Sequence, residues 1–474
     1  MAELKRTELK VDNEKAVIVG VILPDSTADP RDPLGELASL AKTAGAEVVA
    51  QITQKRQTID SGTYVGSGKA MEIASKCKKH DADFVVFDND LTPGQIGSLE
   101  KIINEKLKSP RGKGVKVLDR SELILDIFAT RAQTHEAKLQ VELAQMQYTY
   151  PRLTRMWGHL ERIAQGGTIG VGTRGPGETQ LEIDRRLVRK RISDLKADID
   201  KVQARKKREV EKRVSDHFTA CLVGYTNAGK STLFNTVTEA GTYADDKLFA
   251  TLDTKTRAWD IEQGATVLLS DTVGFVRDLP HNLVASFKAT LEEAVHADLL
   301  LHVVDVGHPR ARQQYESVHK VLAEIGAQGK PELLLLNKTD TPAGEESVDY
   351  WLAMHPRALA ISAKTGRGLA EVAGKVAEAL RGTQADLDVR VPVTDGKLLA
   401  FLDQTGGVID KSFDEEEARL HLRVSQRLLG ELERNPAISI DRAEMLPAPE
   451  LGRVPALKKR ELEDDAPLMD SATF

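Results

Sequence analysis

The residues Gly224-Tyr225-Thr226-Asn227-Ala228-Gly229-Lys230-Ser231 constrain the fold more than any other stretch of this chain. They read G-x-x-x-x-G-K-S. The apolar run Phe218 to Val223 precedes them, and Thr232-Leu233-Phe234 opens a helix-forming run behind them. Strand, glycine loop and helix in that order predict a phosphate-binding loop on a mostly parallel sheet with flanking helices. Glycines let backbone N–H groups close around phosphate oxygens, and the helix N-terminus adds partial positive charge. Lys230 is placed for the β- and γ-phosphates and the Ser231 hydroxyl for Mg²⁺. The plain alternative is a glycine turn before an ordinary helix, and three companion motifs argue against it.

Asp271-Thr272-Val273-Gly274 follows the strand-like run Thr266 to Ser270. An aspartate there holds Mg²⁺ through water, and the glycine N–H can sense a γ-phosphate. Asn337-Lys338-Thr339-Asp340 follows the apolar run Leu333 to Leu336. The Asp340 carboxylate can accept from guanine N1–H and the 2-amino group. Adenine offers no such donor pair, so a carboxylate left unpaired would penalise it. The Lys338 stem can cover the base, and Ser362-Ala363-Lys364 completes the pocket. D-x-x-G alone is a weak signal, but four motifs in this order predict a GTP-binding domain. Its expected nucleotide contacts run from Gly224 to Thr232, then Phe249 to Asp253, Asp271 to Gly274, Asn337 to Asp340 and Ser362 to Lys364. A threonine near Phe249-Ala250-Thr251-Leu252-Asp253 is expected as second Mg²⁺ ligand, which leaves Thr251, Thr254 and Thr256 open.

Phe275 follows Gly274, where Ras-like proteins carry a water-orienting glutamine. Phenylalanine has no hydrogen-bonding group, so intrinsic hydrolysis is expected to be slow and the water-positioning group unknown. Arginine fingers raise such rates by roughly 10³–10⁵, which makes partner stimulation an expectation. Arg257 and Arg277 lie near the motifs as weak candidates.

With 474 residues the chain has room for several domains. Its two cysteines, Cys77 and Cys221, sit in apolar patterns and point to a reducing compartment. No signal peptide or spanning apolar run is read, so a cytoplasmic protein is expected, associated with ribosomes or peripherally with membrane.

Residues 1–120 alternate strand and helix patterns and predict a small parallel α/β domain. Its Gly66-Ser67-Gly68-Lys69 is not a second phosphate loop: Ala70 follows the lysine, and Thr63 stands where the first glycine belongs. Residues 121–215 predict a long antiparallel helical hairpin. One seam runs Leu139, Leu143, Met146, Tyr150, Leu153, Trp157, Leu160, Ala164, with Pro151 expected to kink or divide it. The other runs Leu181, Val188, Ile192, Leu195, Ile199, Val202. Between them lies the glycine-rich segment 166–177. From Arg185 to Arg213 there are 13 Lys or Arg against 5 Asp or Glu. In a chain of net charge −6 that excess favours RNA contact over a merely solvated face. The GTPase domain is expected over 216–383, a small α/β domain over 384–444 and a disordered tail over 445–474.

The run Gly172-Thr173-Arg174-Gly175-Pro176-Gly177-Glu178-Thr179-Gln180-Leu181-Glu182 with Asp184-Arg185-Arg186 resembles the HflX family of bacterial GTPases. So do Asp119-Arg120, Glu136 to Leu143, Phe249 to Asp253 and Asp271 to Phe275. The resemblance covers roughly residues 35 to 440. It implies a GTPase of the large ribosomal subunit that acts on stalled or stressed ribosomes, is monomeric off the ribosome and binds GTP and GDP with Mg²⁺. It selects Thr251 as the threonine ligand beside Ser231, with Asp271 behind them. It also implies that Arg174, Gly175, Pro176 and Gly177, with Arg185 and Arg186, reach ribosomal RNA. A ribosome-assembly GTPase, an RNA-remodelling protein using its N-terminal domain and a non-hydrolysing scaffold are the rival readings.

Overall fold

Apolar runs of four to eight residues between helical patterns become buried parallel strands here. The computed structural model describes residues 14–24, 26, 31–107, 114–150, 180–238, 254–261, 265–277, 293–405 and 407–456. These fall into two units. The first takes in the described residues up to Lys207 and the segment Val273–Arg277; the second takes in those of Arg208–Thr238, Lys255–Thr272 and from Glu293 onward.

The first unit alternates β1 (Lys15–Ile22), α1 (Gly35–Thr43), β2 (Glu47–Lys55), α2 (Ser67–His80), β3 (Phe84–Phe87), α3 (Pro93–Leu107) and β4 (Lys116–Asp119). The strands form an all-parallel sheet of order β2-β1-β3-β4. The inner strands β1 and β3 are covered on both faces and read as continuous apolar runs, whereas the edge strand β2 is mostly exposed or half-buried. Ala16, Ile18, Phe84 and Val86 join the core shared with α1. Val17, Val19, Val85 and Phe87 join the opposite core, shared with α2 and α3. Two further helices follow, α4 (Arg120–Arg131) and α5 (His135–Thr149), capped by the Asp119 and Thr134 side chains.

The long α6 (Gln180–Asp216) brings the two predicted seams together. Leu139 and Leu143 pack with Leu195 and Ile199, flanked by Met146, Ile192 and Val202. Glu142 pairs with Arg191 at 2.8 Å, and Tyr150, just past the end of α5, meets Arg189, so the helices run antiparallel. Residues 151–179, including Pro151 and the whole glycine-rich segment, lie outside the described residues.

The second unit contains β5 (Thr219–Gly224), α7 (Lys230–Thr238), β6 (Lys255–Ile261), β7 (Ala265–Asp271) and β8 (Leu299–Asp305). It continues with α8 (Ala311–Glu324), β9 (Pro331–Asn337), α9 (Pro342–Met354), β10 (Leu359–Ala360) and α10 (Leu369–Arg381). The sheet order is β10-β9-β8-β5-β7-β6, parallel except for the antiparallel edge pair β6–β7. One face packs with α7 and α10. The other packs with α8 and α9.

A four-stranded antiparallel sheet follows, of order β12-β13-β11-β14, from β11 (Gln384–Pro392), β12 (Gly407–Phe413), β13 (Glu417–Ser425) and β14 (Ser439–Met445). Alternate residues Leu387, Val389 and Val391 of β11 pack with Leu420, Leu422 and Val424 of β13 under α11 (Gly396–Thr405) and α12 (Gln426–Leu432). The expected tail from residue 445 is corrected over 446–456. There β15 (Gly452–Arg453) pairs antiparallel with Glu332 and Pro331 of β9, and Val454 is buried. Two residues of strand are too short to show a period among prolines and charges. Residues 457–474 lie outside the described residues.

Candidate functional site

The loop between β5 and α7 is shaped by close contacts and backbone angles that suit glycine. Gly224 has φ +148°, and a Cβ there would stand 2.3 Å from the Val303 carbonyl oxygen. Gly229 has φ +99°, and its Cβ would stand 2.2 Å from Asn337 Nδ2. Asn227 takes the left-handed conformation at the exposed turn. Tyr225, Thr226 and Ala228 are buried. Lys230 is buried as well, and its ammonium donates to the Gly224 and Tyr225 carbonyls at 2.9 and 2.8 Å. Burial lowers its pKa to about 8, against the opposing pull of the Asp271 carboxylate. A desolvated ammonium held inside a glycine loop is a cation suited to phosphate oxygens.

Ser231, half-buried in the first turn of α7 like Thr232 after it, donates its hydroxyl to Asp271 Oδ2 at 2.8 Å. This contact puts an alcohol and a buried carboxylate together at the carboxyl end of β7, a hard oxygen donor set that fits Mg²⁺. The Thr272 hydroxyl donates to the Leu222 carbonyl and ties the end of β7 to β5.

Asn337 connects the phosphate loop to the base motifs. Its Nδ2 donates to the Ala228 carbonyl at 2.8 Å, and its Oδ1 accepts from the Ala363 N–H at 2.9 Å. Thr339 donates its hydroxyl to the Ile361 carbonyl, and the Ser362 hydroxyl accepts from the Thr365 N–H. Asn337, Thr339, Ser362 and Ala363 are all buried, whereas Asp340 and Lys364 are exposed. Lys338 sits at φ 64°, and its ammonium meets Asp305 Oδ2 at 2.8 Å. Sequence reasoning missed Asp305; its place at the end of a buried strand next to β9 was the available signal.

Val273, Gly274 and Phe275 belong to the first unit. Val273 and Val276 enter its core, and Phe275 is buried. Arg120, 2% exposed, meets Asp88 at 2.6 Å and Glu36 at 2.6 Å and donates to the Arg277 carbonyl. Arg277 in turn meets Asp88 at 2.5 Å, and its N–H reaches Glu36. Arg277 is therefore committed to a buried ion network, while Arg257 lies exposed on β6. Glu36 and Asp88 had no sequence signal beyond their charge; Arg120 was visible only as part of the Asp119-Arg120 pair.

Phe249, Ala250, Thr251, Leu252 and Asp253 lie outside the described residues, as do Arg174, Gly175, Pro176 and Gly177. Arg185 is within α6 with its side chain outside the described set; Arg186 is exposed on the same helix.

Three family models match in chain order. "GTP-binding GTPase N-terminal" matches residues 31–129, "GTP-binding GTPase Middle Region" 131–213 and "50S ribosome-binding GTPase" 219–338. The curated GTPase HflX of Escherichia coli (strain K12) is 44% identical over 413 residues, which span 87% of this chain and 93% of that protein. GTPase HflX of Alkalihalophilus pseudofirmus is 41% identical over 434 residues, 89% of this chain and 98% of that one. A solved GTP-binding protein from the archaeon Sulfolobus solfataricus, in complex with GDP, is similar at 24% identity with a TM-score of 0.41, covering 77% of this chain and 98% of that one. Such identity along nearly the whole of the curated relatives places the chain in the HflX family of GTPases.

Proposed function

We propose that this GTPase works on the ribosome. In its GTP state it binds the large subunit, acts on stalled or stressed ribosomes by splitting or rescue, and hydrolyses GTP to GDP and phosphate in the cytoplasm. The observation that carries the reading is α6. Its 37 residues lead from the glycine-rich segment almost directly into β5 of the nucleotide-binding sheet. A basic helix joined to a nucleotide-dependent domain is a means of linking RNA contact to nucleotide state. The description "50S ribosome-binding GTPase" of the model matched at 219–338 supports the same partner. Arg174, Gly175, Pro176, Gly177, Arg185 and Arg186 are the proposed RNA contacts.

Ser231 and Thr251 would ligate Mg²⁺, with Asp271 holding a bound water. When present, the ion neutralises charge on the phosphates during transfer to water. Lys230 holds the β- and γ-phosphates, and Asp340 with Ser362 to Lys364 selects guanine. Phe275 offers no hydrogen bond to a water, which supports slow intrinsic turnover and stimulation by the ribosome.

Co-sedimentation with intact ribosomes and with isolated large subunits, in GDP, GTP or a non-hydrolysable GTP analogue, tests this. The expected result is binding of the large subunit with the analogue, loss of binding with GDP, and faster single-turnover hydrolysis with subunits present. Equal binding in all nucleotide states overturns it. Binding confined to precursor subunits would instead establish the assembly reading.

A further inference from the structure

A polar cluster lies inside the apolar sheet of the nucleotide-binding domain. His302 interrupts the buried strand β8 and is 0% exposed. His319 on α8 and Glu332 at the start of β9 are also buried. His302 Nδ1 lies 2.6 Å from Glu332 Oε1, and His319 Nε2 lies 2.8 and 2.9 Å from its two carboxylate oxygens. One donor atom from each of the three residues falls within 4.8 Å of the others. We propose that His302, His319 and Glu332 form a binding site for one divalent transition-metal ion, Zn²⁺ in the first instance, bracing β8, β9 and α8.

The donor set is the first reason. Two imidazole nitrogens and one carboxylate oxygen suit Zn²⁺, whereas Mg²⁺ takes oxygen donors and several waters. The cluster is therefore chemically distinct from the oxygen-rich pair Ser231 and Asp271. Burial is the second. An ionised carboxylate inside a core is costly unless it is paired or bound to metal. His302 adds a third: its Nδ1 is turned onto the Glu332 carboxylate, while its Nε2 is buried with no hydrogen-bond partner among the described residues, so the ring's polar contact is made through the nitrogen that would bind the ion.

The surroundings hold the rings in place. Tyr315 stacks on His302 with centroids 5.2 Å apart and meets His319 edge-on at 4.3 Å. Trp351 and His355 extend this aromatic wall. Packed rings limit the rotamers open to both ligands, which is how positioning shells act at metal sites. The present separations are those of hydrogen bonds. Ligands about 2.0 Å from a tetrahedral ion stand roughly 3.3 Å apart, so each imidazole nitrogen must draw back from the carboxylate by about 0.5–0.7 Å. On binding, the hydrogens between the rings and the carboxylate leave those positions; a neutral imidazole carries its proton to the far nitrogen, and a charged one releases a proton to solvent. A bound ion would join β8, which continues to Asp305, with β9, which ends at Asn337. It would thereby stiffen the two strands that carry the Lys338–Asp305 pair and the guanine motif.

The full-length protein, stripped with a chelator, is loaded with equimolar Zn²⁺ and desalted, and retained metal is counted by mass spectrometry. About one ion per chain is expected, with Glu332→Gln and His319→Gln each falling to background while still folded in chelator by circular dichroism. X-ray absorption of the loaded parent provides a test that needs no variant: two imidazoles and one carboxylate around zinc support the site. Retention well below one ion per chain, variants that hold as much as the parent, or a spectrum with fewer than two imidazoles each overturns it. Nucleotide binding is not a readout here, so failure leaves the GTPase reading untouched.

Discussion

Two glycine turns in this chain open helices behind parallel strands, and their physics differs. In the second unit, Gly224 and Gly229 adopt positive φ, the Val303 carbonyl and the Asn337 amide leave no room for a Cβ, and Lys230 is buried against the loop's own carbonyls. In the first unit, Gly66 has an ordinary extended conformation and Gly68 has open space around it. Lys69 there pairs with Glu72 on the surface at 2.8 Å. A phosphate loop is thus marked less by glycine and lysine in sequence than by enforced positive φ and a desolvated cation. The first unit places its buried charge elsewhere, at Glu36, Asp88 and Arg120, beyond the carboxyl ends of β3 and β4.

Substitution can break this comparison. Gly229→Ala carries the largest expected effect, because a Cβ would collide with the Asn337 amide that joins the loop to the base motifs. GDP affinity, read by titration calorimetry, should fall by ~4 kcal/mol or more, a thousand-fold. Near-normal affinity would show that the loop has room it does not display. Arg120→Met comes next. It leaves Glu36 and Asp88 without their shared cation, and urea unfolding should register a loss of about 3 kcal/mol. That is the low end for a broken buried pair, because Arg277 still faces Asp88. An unchanged midpoint would mean that the network contributes no stability to the first unit.

Asp340→Asn sharpens the contrast at the base. One acceptor becomes a donor facing the guanine 2-amino group or N1–H, so preference should move toward xanthine nucleotides by about 2 kcal/mol. Competition showing undiminished GTP preference would remove Asp340 from the pocket. The smallest effects belong to the first-unit turn. Gly68→Ala lies within a helix with space for the methyl group and should stabilise by up to about 1 kcal/mol. Lys69→Ala should change stability by less than ~1 kcal/mol, as surface pairs do. Neither should alter GDP affinity, and a loss in either would reinstate a nucleotide role for this turn.

The inner parallel strands were legible in the sequence because each is a short apolar run. Phe84 to Phe87 and Leu333 to Leu336 announced buried strands because both faces are covered. The edge strands β12 and β14 were missed because nearly all their residues are exposed or half-exposed, so no alternation survives. In the site, Lys230, Ser231, Asp271 and Asn337 were visible because local spacing forces them together. Asp305, Glu36 and Asp88 were not, since what gives them their partners is the adjacency of distant strands and helices. His302, His319 and Glu332 share that reason: nothing in their spacing shows that β8, α8 and β9 bring them onto one face.

The pairing of β15 with β9 has a consequence for how the chain is made. Glu332 and Gly452 are joined in register across roughly 120 positions, with the antiparallel sheet of β11 to β14 in between. Loop closure over that span is slow but thermodynamically cheap. During synthesis the nucleotide-binding sheet must wait for the entire later sheet to emerge before its start of β9 is covered. Until then that strand offers unpaired backbone N–H and C=O groups, the kind of edge that templates aggregation. Residues 452 and 453 therefore act as a completion step, covering a stretch of β9 that would otherwise stay open to wrong partners.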